Sequence, residues 1–316
     1  MPAPNRSLAG LSRATAIAAV ITQAGIAVTG SVVRVTSSGL GCPSWPQCFP
    51  GSLVPQPHPD VAALNQWIEF GNRLLTGLVG LVALACLIVA LLVRPRRRRL
   101  ILLAATMPLG VAAQAVLGGI TVLTGLAWWT VAVHFLVSMV LVWLAVLLVA
   151  AFAEGDAPPR WHLPAPLQGL LGTATAVLAA LLVAGTLVTS AGPHAGSTAT
   201  PRLAVGVPAM VQLHADLLVG FLGLLTGLGF ALRAVSVPVR TWRRYLVLVL
   251  VVLAQGALGL VQYLTGVPEV LVSLHVLGAV AVVVAMAALW TSCRVRDHVP
   301  AATVGSARPL AGAGTS

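Results

Sequence analysis

Glu69, Asn72 and Arg73 stand together in "WIEFGNRLLTGLVG", while His134, His214 and His275 stand singly in "VAVHF", "QLHADLLVG" and "LVSLHVLGA". Each is set at or inside a run that is otherwise apolar, where an ionisable side chain is costly unless it lines a site or a pathway or is paired. A carboxylate placed there can accept a proton, a guanidinium can grip a carboxylate, and a neutral imidazole can ligate a transition metal. The plainer alternatives are an ion pair in which Glu69 and Arg73 lock one helix to a neighbour, and histidines that merely hydrogen-bond between helices. The remaining histidines, His58, His162, His194 and His298, fall in loops or in the C-terminal tail.

The elements that must position these residues are membrane helices. Hydrophobic residues make up 58% of the chain and charged residues 8%, with mean hydropathy +0.98, far from the balance of a soluble domain. A spanning helix needs about 20 mostly apolar residues. Such runs occur at 10–33, 68–93, 100–122, 127–152, 166–190, 207–232, 245–264 and 270–293. All 18 basic residues are arginine; fifteen lie on the N-terminal side of the membrane, against Arg34 and Arg202 opposite and Arg73 within a run. This asymmetry predicts a multi-pass cell-membrane protein with both termini cytoplasmic. The net charge of +11 lies between apolar runs and not on one soluble face, which argues against nucleic acid as a partner. "RPRRRR" at 94–99 reads as a topology anchor that attracts anionic lipid of the membrane. The first run lacks a convincing small-residue cleavage site and reads as a retained helix.

The chain also repeats itself. "AQAVLGGITVLTGLAWWTVAVH", ending at His134, aligns without gaps on "AQGALGLVQYLTGVPEVLVSLH", ending at His275. The matches include Gln114/Gln255, Gly118/Gly259 and Leu123-Thr124-Gly125 against Leu264-Thr265-Gly266. "AGIAVTG" and "AGTLVTS" echo each other in the first helix of each unit. The expected fold is all-α and integral to the membrane, with eight transmembrane helices as two pseudo-symmetric four-helix bundles in parallel repeat. The corresponding divisions are a cytoplasmic N-terminal tail over 1–9, an N-terminal half over 10–152 with an outer loop at 34–66, a cytoplasmic linker over 153–165, a C-terminal half over 166–293 and a disordered cytoplasmic tail over 294–316.

All three buried histidines lie five to seven residues past the predicted outer ends of their helices, roughly 10 Å deep at 1.5 Å per residue. Glu69 and Asn72, spaced i,i+3, enter near the same level on one helix face. Zinc wants a compact tetrahedral set, whereas the repeat distributes one or two ligands to each half. Imidazoles from two helices can instead approach a haem iron from opposite sides, and Gly-rich stretches such as "GFLGLLTGLG" allow close packing around a flat macrocycle. His214 and His275 form such a pair in the second half; in the first half the equivalents are Asn72 and His134. Asp216, two residues after His214, does not share its face and is expected to make a buried polar contact only.

Cys42 and Cys48 lie in "GCPSWPQCF" in the long outer loop, where an oxidising environment favours a disulfide; no second Cys pair or nearby His completes a zinc set. Cys86 and Cys293 read as packing residues.

Together, "GSVVRVTSSGLGCPSWPQC", "IEFGNRLLTG", "VAVHF", "GPHAG", "QLHADLLVG" and "LVSLHVLGA" make the sequence resemble the haem A synthase family over about residues 12 to 295. The resemblance implies an oxidoreductase that converts haem O to haem A for a terminal oxidase, oxidising a ring methyl to formyl through alcohol and hydrated aldehyde stages. It implies that His214 and His275 ligate a resident haem b, that the first half receives the substrate haem O on His134, and that Glu69 is the catalytic carboxylate. Arg73 would pair with Glu69 or with a haem propionate, and the Cys42/Cys48 loop would cover the substrate. Many family members carry histidine where this chain has Asn72, which leaves His134 as the evident axial ligand of the first half. Haem O synthase and terminal oxidase assembly factors are the implied partners, and without a flavin or nicotinamide motif the electron acceptor is a further, unidentified one. The rival readings are a membrane haem transporter or chaperone, and a bis-His cytochrome b subunit that relays electrons.

Overall fold

A computed structural model of the protein describes residues 6–297. It is built from eight helices: α1 (Arg6–Val35), α2 (Ala63–Leu92), α3 (Arg98–Leu123), α4 (Trp128–Ala153), α5 (Ala165–Ala191), α6 (Val207–Ala234), α7 (Val239–Leu264) and α8 (Glu269–Ser292). Every one is long and apolar enough to cross a membrane, so this is a multi-pass, all-α membrane protein. The helices outrun the apolar stretches where polar residues extend them past the hydrocarbon. Thus α2 begins at Ala63, five residues before the run at 68, and takes in buried Gln66; α7 begins at Val239 and takes in Arg240, Arg243 and Arg244. Hydropathy marks only the portion in lipid, while the backbone goes on satisfying itself beyond it.

In the first half, α1 packs on α2, α2 on α3, α3 on α4 and α4 back on α1, a ring closed on every side. The second half pairs α5 with α6 and α7 with α8 as closely, but α6 meets α7, and α5 meets α8, only lightly. At the arginine-rich end Tyr245 of α7 bridges the α6/α7 gap, donating its hydroxyl to the Leu225 carbonyl at 2.9 Å. The halves join through α1 and α4 against α8, and α4 against α5. At the centre of that seam Met139 and Val142 of α4 cluster with Val280 and Val283 of α8. Those residues are equivalent under the repeat alignment, so α4 and α8 meet through the same patch on each, as a two-fold-related contact requires.

The repeated Leu-Thr-Gly triplets are the α3–α4 and α7–α8 turns. Thr124 and Thr265 each donate a hydroxyl to the carbonyl one turn back, Ile120 and Val261, both at 2.8 Å. Gly125 and Gly266 follow in the left-handed region at φ +64° and +80°, which glycine enters without a Cβ penalty. Among the described residues the only strands are β1 (Arg160–Trp161) and β2 (Arg294–Val295), paired antiparallel. This pairing corrects the expectation of a disordered tail from 294: Gly155 N–H also donates to the Arg296 carbonyl at 3.0 Å and His162 N–H to that of Cys293 at 2.9 Å. Backbone bonds, invisible to side-chain pattern, tie the linker to the residues after α8. Of the expected tails, 1–9 and 294–316, residues 1–5 and 298–316, with His298 and Arg308, lie outside the described residues.

Candidate functional site

His134, His214 and His275 lie six or seven residues into α4, α6 and α8, so that equal rise along parallel helices puts them on one level. Each rests the Cε1–Nδ1 edge of its ring over a glycine of the preceding helix: His134 over Gly118, His214 over Gly185 and His275 over Gly259. A Cβ at Gly259 would come within 2.9 Å of the His275 Cε1, so glycine is required for this approach. Nε2 lies beyond 4 Å of the Cβ position in each case. Gln114 and Gln255, equivalent in the repeat, brace two of these helices by donating to the carbonyls of His134 at 3.0 Å and His275 at 2.8 Å.

His214 and His275 face each other with ring centroids 6.4 Å apart and planes inclined by 57°. A ligating nitrogen about 2 Å from a metal puts its ring centroid about 3 Å away, so two imidazoles on opposite sides of one iron stand about 6 Å apart. The His214 Nδ1 lies 3.1 Å from the Leu181 carbonyl; a carbonyl only accepts, so Nδ1 carries the proton and Nε2 keeps its lone pair for a ligand. Nδ1 of His275 and of His134 are buried without a hydrogen-bond partner. Among the described residues no three His, Cys, Asp or Glu side chains converge into a metal-binding group. The donor set is thus two opposed imidazoles, suited to the axial positions of a planar macrocycle and not to a tetrahedral ion.

Glu69 is 5% exposed. One carboxylate oxygen accepts the Cys42 N–H at 2.7 Å and the other accepts Arg73 Nε at 3.2 Å and Nη2 at 2.6 Å. Arg73 spends its remaining donors on the outer loop, reaching the carbonyls of Ser44 at 3.0 Å, Gln47 at 3.1 Å and Cys42 at 2.7 Å. All five guanidinium N–H groups are thereby engaged, and none is left for a propionate in this arrangement. Cys42 and Cys48 form a disulfide whose sulfur atoms pack with Phe49 and Phe70. Trp45 of the loop closes on Gly119, next to the Gly118 beneath His134. Carboxylate, arginine and disulfide loop therefore form one hydrogen-bonded assembly, and Trp45 brings that loop against the α3 glycines beneath His134.

Asn72 turns from that assembly toward α1 and accepts the Thr29 hydroxyl at 2.7 Å. Among the described residues no hydrogen bond joins it to His134. The repeat sets Gly25 of α1 opposite Gly185 of α5, and Gly25 has nothing within 4 Å of a Cβ position: the seat that a histidine occupies in the second half is open in the first. Asp216 is exposed and accepts from Gln212 at 2.6 Å, not buried as expected; its position on the face away from His214 carries it outward. Cys86 and Cys293 are buried thiols.

A family model described as cytochrome oxidase assembly protein (COX15-CtaA) matches residues 13–204. The chain belongs to this family. It is also similar to the heme A synthases of Lysinibacillus sphaericus (strain C3-41), 35% identical over 40% of this chain and 39% of the relative, and of Symbiobacterium thermophilum, 35% identical over 40% of each. With that of Bacillus licheniformis it shares 31% identity over 49% of each chain. The chain thus spans less than half the length of these relatives in each match. The family match runs from residue 13 within α1 past the end of α5, with Glu69, Asn72, Arg73, His134 and the disulfide loop; His214 and His275 lie beyond it and connect to the family pattern through the internal repeat.

Sequence reasoning missed several members of the site. Gln114, Gln255, Gly118 and Gly259 all stand in the aligned repeat, which was their available signal, but identity across halves does not say that a glycine seats an imidazole. Thr29 gave no signal, since a hydroxyl in an apolar helix ordinarily bonds its own backbone.

Proposed function

We propose that the protein is a haem A synthase of the cell membrane, with both termini cytoplasmic, that oxidises a methyl group of haem O to the formyl group of haem A for terminal oxidase assembly. The observation that carries this reading is the His214–His275 pair, opposed at 6.4 Å in a chain of the cytochrome oxidase assembly family. The second half, 166–293, would hold haem b between those residues, and the first half, 10–152, would take haem O as substrate. A bound haem supplies the redox chemistry that a polypeptide lacks.

The rest falls to this chain's own residues. His134, its ring edge resting over Gly118, would hold the substrate haem through Nε2. Glu69, held dry under the disulfide loop, takes protons released at the methyl carbon or stabilises positive charge there. Arg73 positions that carboxylate and pins the loop over it; water would supply the oxygen, each hydroxylation releasing two electrons to the separate acceptor and two protons. Haem O synthase and oxidase assembly factors are the expected neighbours, and electrons leave to a separate acceptor.

Expression with a source of haem O, followed by pigment extraction and mass analysis, tests the reading. Accumulation of the hydroxylated or formyl haem is the expected result. Recovery of unchanged haem O would overturn it in favour of haem transport, and tight haem b with a dispensable Glu69 would favour an electron relay.

A further inference from the structure

At the arginine-rich end of the second half a cavity of ≈ 510 Å³ opens between the ends of α4, α7 and α8 and strand β2. Its charged lining is Arg240, Arg294, Arg296, Glu154 and Asp297. Asp156 and Asp297 have hydrogen-bonded cations, whereas Glu154 Oε2 is buried without a hydrogen-bond partner. Glu154 faces Arg99 at 3.9 Å, nearby Asp156 is held by Arg97 at 2.8 Å, and Asp297 pairs with Arg160 at 2.6 Å. Among the described residues this leaves Arg240, Arg294 and Arg296 without an ion pair, Glu154 being the nearby carboxylate that acts on Arg294, and residues 298–316 contain no Asp or Glu.

The guanidiniums are held but not neutralised. Arg296 Nη1 donates to the Ala157 carbonyl at 2.9 Å and Arg294 stands over the Trp161 ring at 5.9 Å. The Nε atoms of both are buried with no hydrogen-bond partner, a condition that native structures rarely tolerate without a ligand or water. Burial and the neighbouring Arg296 pull the Arg294 guanidinium below its ordinary pKa, with Glu154 offsetting part of the shift, as expected where cations crowd. The N-terminus of α7 opens into the same space behind Pro238 with no side-chain cap, adding unpaired N–H groups and the positive end of a helix dipole. The opposing carbonyl end of α8 is masked: Thr241 donates to the Ser292 carbonyl at 2.9 Å and Arg244 to that of Ala288 at 2.6 Å.

We propose that this cavity, which His162 also lines, is a phosphate-binding site in which Arg240, Arg294 and Arg296 grip the anionic oxygens, separate from the end of the molecule that carries His134, His214 and His275. Fork-shaped guanidinium donors match phosphate geometry, and basic pockets between helices at a membrane surface take anionic headgroups. The two sources of such a group are an anionic phospholipid and inorganic phosphate.

The test uses the full-length protein in phosphatidylcholine nanodiscs, with and without phosphatidylglycerol, and separately with inorganic phosphate against chloride at matched ionic strength. Native mass spectrometry reads bound lipid or phosphate, and thermal unfolding reads stabilisation. The expected result is selective retention of phosphatidylglycerol or of phosphate. Binding should weaken about tenfold or more in the Arg294→Gln/Arg296→Gln protein, which loses charged hydrogen bonds, and be unchanged in Arg13→Gln/Arg243→Gln, whose arginines are exposed at the same end and outside both the cavity lining and the 94–99 run. Retention of the lipid alone identifies a headgroup site, and an effect of phosphate alone a soluble anion. Equal weakening in both double variants would show general surface charge and overturn the proposal. Should the Arg294/Arg296 variant fail to fold, the unaltered protein still decides: equal retention of both lipids with no effect of phosphate overturns it.

Discussion

Glu69 and Arg73 form a buried ion pair that also fastens a loop, so at the level of single residues chemistry and anchoring are entangled. Breaking a buried pair from either side leaves one uncompensated charge and costs about 3–5 kcal/mol. Glu69→Gln and Arg73→Gln should therefore lower the unfolding midpoint comparably. If Glu69 handles protons, its variant should in addition lose about 10²-fold or more in formation of hydroxylated or formyl haem relative to the Arg73 variant; equal losses of turnover at equal stability would make the carboxylate an anchor only. Asn72 gives a cleaner case. Because Asn72 is bonded to Thr29, and Gly25, one turn before Thr29 on α1, has nothing within 4 Å of a Cβ position, Asn72→His should seat an imidazole as His214 sits on Gly185. The first half would then ligate haem from both sides, read as a second low-spin haem retained through purification. An absorption spectrum indistinguishable from that of the unaltered protein would refute this.

The outer loop is the element that makes the first half unlike the second. Its small disulfide ring limits the conformations of the unfolded loop by about 2 kcal/mol in chain entropy, while Arg73 holds three of its carbonyls. Replacing both Cys42 and Cys48 by Ser should raise amide exchange across residues 42–52 and leave α3 and α4 unchanged; exchange that stays flat would mean that Arg73 alone fixes the loop. How far such elements can be read from sequence depends on whether their signal is local. The eight helices are legible because hydrocarbon demands a long apolar run, and the α3–α4 and α7–α8 turns because Leu-Thr-Gly recurs with a glycine where φ is positive. The starts of α2 and α7 are not, since a helix runs past the lipid without any change in hydropathy to mark its end. The β1–β2 pairing is illegible too, being made by backbone groups of segments far apart in the chain. Of the site, depth and residue type reveal Glu69 and the histidines, but the engagement of all Arg73 donors and the outward turn of Asp216 depend on loop and helix rotation that no spacing rule encodes.

At the scale of the molecule, one design has been built twice and tightened once. In the first half every neighbouring pair of helices is packed, and Leu141, Ala145 and Leu148 of α4 share a single buried cluster with Ala83, Cys86 and Met107. In the second half the α6/α7 and α5/α8 seams are thin, and these seams flank the opposed His214 and His275. Cohesion there should accordingly depend on a macrocycle spanning the two helix pairs, since ligand binding stabilises whatever conformation it bridges. The α4–α8 seam between halves, in contrast, is a side-chain cluster that needs no ligand. His275→Ala should therefore abolish the haem b absorption band and speed amide exchange in α6 and α7, while exchange in α1 to α4 stays as in the unaltered protein. Equal loosening of both halves would mean that they fold as one unit across the α4–α8 seam, and an undiminished band would remove His275 from the ligand pair.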